Sequence, residues 1–185
     1  MDLRCFPSSM RPVVAVFGSS RAMPGSKTYE LAFALGKLVG ELGFDLATGG
    51  YGGAMEAASR GAKEAGALVF GVTAPAVFPD RAGPNPFVEL ELPSPSLLSR
   101  IERLLDLGAA YVALPGGIGT LAEIVAAWNR AYVDRAAGRP ARPLAVHAGW
   151  RSLLRPALEI GEDALGLLRF FKEASELEEF LKSVR

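Results

Sequence analysis

The stretch PGGIGTLAE (115–123) holds the residues of this chain best suited to chemistry: three glycines in four positions, a threonine and a carboxylate. It follows the apolar run AYVALP (110–115), which is typical of a buried strand, and leads into a helical pattern. Free N–H groups and the positive dipole at a helix start favour an anion, most often phosphate. Alternatively, the glycines only allow the backbone to form a tight turn between the strand and the helix. The predicted phosphate ligands are Gly116, Gly117, Ile118, Gly119 and Thr120.

The sequence supports two interpretations of Glu123. Thr120 and Glu123 have the spacing of a capping box, in which Thr120 is the N-cap and Glu123 reaches back to its N–H. Alternatively, Glu123 is a catalytic group. A carboxylate in the first helical turn should be held anionic by the dipole and by backbone donors. Such a group suits stabilisation of a developing cation or activation of water, and it would be a poor general acid.

Two arginines lie in the helix that precedes this strand. Arg100 and Arg103 are three residues apart, so they share one helix face and could together form a cationic wall for a phosphate. The alternative for each is an ordinary solvated surface arginine.

The elements that must position these residues alternate between short apolar runs and longer helical patterns. This alternation predicts an α/β fold, a Rossmann-like doubly wound parallel sheet flanked by helices, as a single domain over residues 1–185. Residues 87–92 resemble a further short strand, and residues 151–185 are expected to form a helical closure. The main predicted strands are 13–18, 44–50, 67–72, 110–115 and 142–147.

Three of the strand ends carry glycine or serine. Because parallel strands end at one rim of the sheet, the turns 18–20, 49–53 and 115–120 should converge there, where such folds bind ligands. Tyr51 could stack on a base or merely cover its loop. The additional predicted ligand contacts are Ser19, Ser20, Gly50, Gly52, Gly53 and Met55.

The remaining features exclude several classes of function. GIGTLA (117–122) matches the loose dinucleotide fingerprint, but the next strand ends without the acidic residue that binds the ribose, and no P-loop ending is present.

With Cys5 the only cysteine and His147 the only histidine, a disulfide, a multi-histidine metal site and a Ser-His relay are poorly supported. Twenty basic residues balance twenty acidic ones, which gives no reason to expect nucleic acid or a membrane as partner. Residues 1–12 lack the pattern of a signal peptide, so we expect a soluble cytoplasmic protein without metal or cofactor.

PGGIGTLAE resembles the PGGxGTxxE signature of the LOG family, once described as possible lysine decarboxylases. The characterised members are cytokinin riboside 5′-monophosphate phosphoribohydrolases. VFGSS (16–20) and the glycine-rich segment 49–72 are also similar to that family, and the likeness runs from about residue 12 to residue 150.

The resemblance implies a homodimer that hydrolyses the N-glycosidic bond of a purine nucleoside 5′-monophosphate, AMP or a cytokinin type, to free base and ribose 5-phosphate. It implies Arg100 and Glu123 as the essential pair, and the glycine turn as the holder of the 5′-phosphate. Cytokinin-type members carry Arg-Lys in the preceding helix, whereas Ile101 follows Arg100 here. Relatives with similar loops include a molybdenum-cofactor carrier, so a non-catalytic carrier of a phosphate-bearing ligand is the alternative.

Overall fold

A computed structural model describes residues 11–81, 83–154 and 160–184. The N-terminal stretch 1–10, with Cys5 and most of the segment tested for a signal peptide, lies outside the described residues. The strands are β1 (Val13–Phe17), β2 (Asp45–Thr48), β3 (Val69–Gly71), β4 (Leu90–Glu91), β5 (Gly108–Ala113), β6 (Leu144–His147) and β7 (Leu168–Phe171). The α-helices are α1 (Lys27–Glu41), α2 (Ala54–Glu64), α3 (Leu97–Leu107), α4 (Ile118–Ala136), α5 (Glu162–Leu165) and α6 (Glu178–Lys182).

These strands form one parallel sheet in the order β4-β3-β2-β1-β5-β6-β7. The chain builds outward from β1 in one direction through β4 and then returns to the other side of β1 with β5. The predicted doubly wound parallel sheet is therefore confirmed, and its topological switch point lies between β1 and β5. In this topology a ligand binds beyond the carboxyl ends of the strands at that point.

The last part of the chain differs from the prediction. The segment 151–185, expected to be a helical closure, also supplies β7, which pairs with β6 from Leu144 and Leu168 onward. After β7 the segment forms a 3₁₀ turn at Ala174–Leu177, followed by the short α6. Strand formation at Leu168–Phe171 depends on pairing with the edge of β6, and local periodicity carries no signal for that pairing.

The sheet is buried on both faces, which explains its continuous apolar strands. In β1, Val14 and Val16 pack with α1 and α2, whereas Ala15 and Phe17 pack on the opposite face with residues of α3 and α4. Since successive side chains of a strand point to opposite faces, one apolar run serves both cores.

Helices α1 and α2 approach each other closely through two glycines. A Cβ atom added at Gly36 would lie 2.0 Å from the carbonyl oxygen of Ala58, and one at Gly61 would lie 2.1 Å from that of Phe33. Side chains at these positions would force the two helices apart.

We therefore expect Gly36→Ala to destabilise the protein by about 1–3 kcal/mol, the usual cost of overpacking, despite the better helix propensity of alanine. The measurement is the free energy of unfolding in urea. Gly119→Ala is the matched control, because Gly119 is also helical but has nothing within 4 Å of the added Cβ. Equal stability of Gly36→Ala and the parent would contradict the close packing.

Candidate functional site

The three predicted turns meet at the switch point. The Ser19 N–H donates to the carbonyl oxygen of Pro115 over 3.2 Å, and the Ser19 carbonyl accepts from the Ala54 N–H over 2.8 Å. The turn after β1 is thus bonded to the turns after β5 and β2. Gly53 has φ +76°, and a Cβ there would lie 2.4 Å from the Ser19 oxygen, so this approach requires glycine.

The glycine turn leads into α4 earlier than predicted. The helix begins at Ile118 with Gly117 as N-cap and no side-chain capping bond, which puts Thr120 in the first turn and Glu123 in the second. The predicted Thr120–Glu123 capping box is wrong, because extended backbone at Gly117 starts the helix directly after the strand. The buried Thr120 side chain instead packs over Gly116, where an added Cβ would lie 2.2 Å from its Oγ1. The stretch 116–119 is solvent-exposed, so the N–H groups of this turn are accessible to an anion.

Arg100 and Glu123 form a buried ion pair beside these turns. Arg100 Nη1 lies 3.5 Å from Glu123 Oε1, and the two residues are 9% and 7% exposed. Arg100 Nε also donates to the Val72 carbonyl at the end of β3 over 2.7 Å, and Nη2 lies 3.9 Å from Met55 Sδ. Gly49 makes room for this guanidinium, since a Cβ there would lie 1.7 Å from Nη2.

Local structure places Arg100 at this point. The preceding serines form a capping box at the start of α3, in which the Ser99 N–H donates to the side chain of Ser96 over 3.1 Å. Ser96 and Ser99 thus fix where α3 begins. They set Arg100 in the second turn of α3, on the face toward the carboxyl end of the sheet.

Burial dominates the electrostatics of the pair. Desolvation raises the pKa of Glu123 to about 7, and the nearby charge of Arg100 offsets only part of that rise. Desolvation lowers the pKa of Arg100, and Glu123 counteracts it. The expectation of a carboxylate held firmly anionic is wrong, because Glu123 lies in the second turn and out of water. A carboxyl group with a pKa near 7 can accept or donate a proton at neutral pH.

The turn after β2 is covered by the loop that follows β3. Tyr51 is buried, its Oη accepts from the Ala74 N–H over 2.8 Å, and its ring meets that of Phe78 edge-on. Of the two interpretations of Tyr51, the structure thus supports the covering role. Asn85 Nδ2 donates to the carbonyls of Gly50 (3.2 Å) and Tyr51 (3.0 Å). The sequence did not single out Asn85, which lies in the proline- and glycine-rich stretch 73–86.

The other predicted ligand residues differ in accessibility. Ser20 is exposed, Gly52 and Gly53 are half-buried, and Gly50 is buried with its N–H donating to Thr48 Oγ1. The guanidinium of Arg103 donates to the Pro93 carbonyl over 2.9 Å, so Arg100 and Arg103 have different partners.

A cavity of about 360 Å³ opens beside the glycine turn. It is lined by Ser19 and Gly116 together with Arg21, Ser26 and Thr28, and sequence reasoning did not select the last three. The cavity thus adjoins the turns after β1 and β5.

Residues 11–81, 83–154 and 160–184 form neither a membrane-spanning helix nor a metal-binding cluster. No helix within them is long and apolar enough to cross a membrane. Nor do three or more His, Cys, Asp or Glu side chains within them come together as a metal-binding group.

The raised pKa of Glu123 predicts a pH-dependent stability. Because the folded pKa lies above the ordinary value of 4.5, the unfolded chain ionises first, and this contribution to stability is lost as pH rises from about 4.5 through about 7. We therefore expect the free energy of unfolding of the parent, measured in urea, to fall between pH 4.5 and pH 8 relative to that of Glu123→Gln. Glu64→Gln, which removes an exposed ion-paired carboxylate, is the control. A stability difference between the parent and Glu123→Gln that stays constant with pH would contradict the buried titrating carboxyl.

Comparisons with known proteins place the chain among relatives of this architecture. The family model of the SLOG cluster4 family matches residues 11–133. A protein of Archaeoglobus fulgidus with no assigned function is 33% identical over 102 residues, which cover 55% of this chain and 64% of that one. The match to this curated relative thus spans slightly less than two thirds of its length.

Solved structures share the fold over nearly the whole chain. The molybdenum cofactor binding protein of Rippkaea orientalis has a TM-score of 0.75 at 22% identity, with 96% of this chain and 99% of that one covered. The molybdenum cofactor carrier protein of Chlamydomonas reinhardtii has a TM-score of 0.68 at 23% identity, with 94% and 98% covered. These likenesses establish the fold. Together with the match over residues 11–133, they support the LOG-like superfamily predicted from the signature, and the chain belongs to the SLOG cluster4 family.

Proposed function

We propose that this protein is a phosphoribohydrolase that cleaves the N-glycosidic bond of a purine nucleoside 5′-monophosphate. The observation that carries the proposal is the buried Arg100–Glu123 pair, with its 3.5 Å contact, one helical turn from an exposed glycine turn. A charged pair of this kind contributes little to stability, whereas a buried carboxyl group with a shifted pKa and a specific charged partner is typical of catalytic sites.

The geometry of α4 suits a ribose 5-phosphate. The phosphate binds the N–H groups of the first turn, from Gly117 to Thr120. Glu123 lies four residues beyond Gly119, which is about 6 Å along the helix axis. That distance is comparable with the span from the phosphate to the far side of the ribose, so the carboxyl group adjoins C1′.

The chemistry follows from these placements. As the C1′–N bond breaks, the base leaves with the electron pair and positive charge develops on the sugar, where the Glu123 carboxylate stabilises it. Water adds to C1′ while Glu123 removes its proton, and the departing base takes up a proton. Arg100 orients the carboxyl group and favours its anionic form before reaction.

The first test is product release from AMP, GMP, IMP and isopentenyl-AMP, with free base and ribose 5-phosphate separated by chromatography. Glu123→Gln should lower kcat by roughly 10²–10⁴-fold, the usual contribution of a general base, with nucleotide binding retained. Glu64→Gln, with its exposed ion-paired carboxylate removed, should keep full activity. A Glu123→Gln variant as fast as the parent would reduce Glu123 to a structural residue.

The second candidate function is a non-catalytic carrier of a phosphate-bearing ligand such as a molybdenum cofactor. Ile101, in place of the lysine that cytokinin-type members carry, favours it, as does the binding of molybdenum cofactor by the two structural neighbours described above. Retained nucleotide or pterin binding with no base released from any substrate would support the carrier over the hydrolase.

We also propose a homodimer formed through the outer face of α4. Ile118, Val125 and Tyr132 recur every seven residues along this helix and are 83%, 47% and 42% exposed. Leu153 and Ile160, also exposed, continue the apolar surface along a groove of about 530 Å³. A contiguous apolar face of this kind is typical of an interface, and a second copy can cover it symmetrically. Because the stripe begins at Ile118, such an interface adjoins the glycine turn.

Val125→Asp should convert the dimer into a monomer, because the substitution places a charge in the middle of the apolar stripe. The measurement is mass by light scattering, compared with twice the 19.5 kDa of one chain. Val77→Asp is the control, since Val77 is an exposed valine in the loop after β3. A monomeric parent, or a Val125→Asp variant that remains dimeric, would exclude this interface.

A further inference from the structure

Arg81 is an exposed cation that lies over two aromatic rings. Its guanidinium carbon lies 4.0 Å from the ring centroid of Phe78 and 4.4 Å from that of Tyr51. Neither a hydrogen-bond acceptor nor a carboxylate of residues 11–81, 83–154 or 160–184 engages this guanidinium. Two aromatic rings therefore position the group, while its N–H donors remain available to a ligand.

Residues of the loop after β3 are hydrogen-bonded to the turn after β2. Asn85 bonds the carbonyls of Gly50 and Tyr51, and the Tyr51 hydroxyl is bonded to the Ala74 N–H. Arg81 is therefore in a loop that is hydrogen-bonded to the turn after β2, and it contacts Tyr51 of that turn. Its positive charge also contributes to the lowered pKa of Arg100, in keeping with their proximity.

Arg81 lies toward the end of the site opposite the glycine turn. Glu123 Oε1 lies 3.5 Å from Arg100 Nη1, and the guanidinium carbon of Arg100 lies 5.8 Å from the centroid of the Tyr51 ring. The guanidinium of Arg81 lies over the same ring. The glycine turn follows β5 and the loop of Arg81 follows β3, three strands away in the sheet. At the usual strand spacing this separation is about 14 Å, close to the length of a nucleoside monophosphate plus a contacting side chain.

We propose that Arg81 recognises the base of the ligand, and that it selects a base edge with two adjacent acceptors. The inference rests on the proposed function, which puts the phosphate at α4 and C1′ at Glu123, so that the base extends toward Arg81. Guanine and hypoxanthine offer O6 and N7 to a guanidinium, whereas adenine offers N7 beside an N6 donor that an arginine cannot satisfy. The preferred substrates are then 6-oxopurine nucleotides. A pterin with an unprotonated N5, such as a 7,8-dihydropterin, presents the same pattern through its 4-oxo group and N5, so the selection extends to a carrier of that kind of pterin.

The test measures dissociation constants by calorimetry for GMP, IMP, AMP and ribose 5-phosphate. The full chain carries Glu123→Gln in every sample to prevent turnover. GMP and IMP should bind at least about tenfold more tightly than AMP, since a bidentate contact discriminates by 1–3 kcal/mol. Arg81→Met should remove this preference and leave ribose 5-phosphate binding unchanged. Arg81→Gln should shift the preference toward AMP, because an amide can pair with N6 and N7 of adenine.

Arg151→Met is the matched control. Arg151 is likewise an exposed arginine stacked on an aromatic ring, 4.2 Å from the centroid of Phe170, which lies in the edge strand β7. This variant should retain the preference for GMP and IMP. Thermal unfolding of both arginine variants checks that the fold is intact.

The other possible results either overturn the inference or show that the proposed function fails independently of it. AMP binding as tight as GMP binding overturns it. A parallel loss of ribose 5-phosphate affinity in Arg81→Met also overturns it, and makes Arg81 a phosphate ligand instead. If no nucleoside monophosphate binds, the proposed function fails, and dihydroneopterin monophosphate becomes the probe. If that pterin binds and Arg81→Met weakens its binding, the base-recognition inference holds with the carrier function. If that pterin does not bind, both the inference and the carrier function are overturned.

Discussion

The buried ion pair between Arg100 and Glu123 is the interaction on which the arrangement of this site depends. Removing two charges from water costs several kcal/mol per ion, and the mutual attraction offsets this cost only when geometry and further hydrogen bonds are good. Here the carbonyl of Val72 supplies one such bond. Desolvation nevertheless raises the pKa of Glu123 to about 7, so the pair remains incompletely compensated. Such a group is costly to keep for stability alone.

The surrounding backbone is shaped to admit this pair and to expose the turn beside it. Gly49 leaves the space that the Arg100 guanidinium occupies, and Gly53 lets the turns after β1 and β2 touch. Gly116 allows Thr120 to fold back over the turn, while the stretch 116–119 stays open to solvent. The glycines therefore have separate physical roles, which a single phosphate-binding motif does not describe.

The topology of the sheet makes these local features one site. Because β1 and β5 are neighbours at the switch point, the glycine turn after β5 lies beside the turn after β1. The β2 and β3 ends contribute Tyr51 and the loop with Arg81, so the rim has a phosphate-suited end and an arginine-bearing aromatic end. The outer face of α4 is apolar and exposed, which connects the same rim to a surface suited to a second copy.

The sequence by itself determined the alternation of strands and helices and the strand-end turns, because these follow from periodicity and glycine content. It also led to Arg100 and Glu123, through resemblance to a family signature. It failed where tertiary contacts compete with local pattern. Thr120 and Glu123 have capping-box spacing, yet α4 starts at Ile118. Only the tertiary structure decided the raised pKa of Glu123, the covering role of Tyr51 and the pairing of β7, since burial and distant partners control all three. Desolvation and edge pairing arise from residues far apart in the chain, and a local window of sequence carries no record of them.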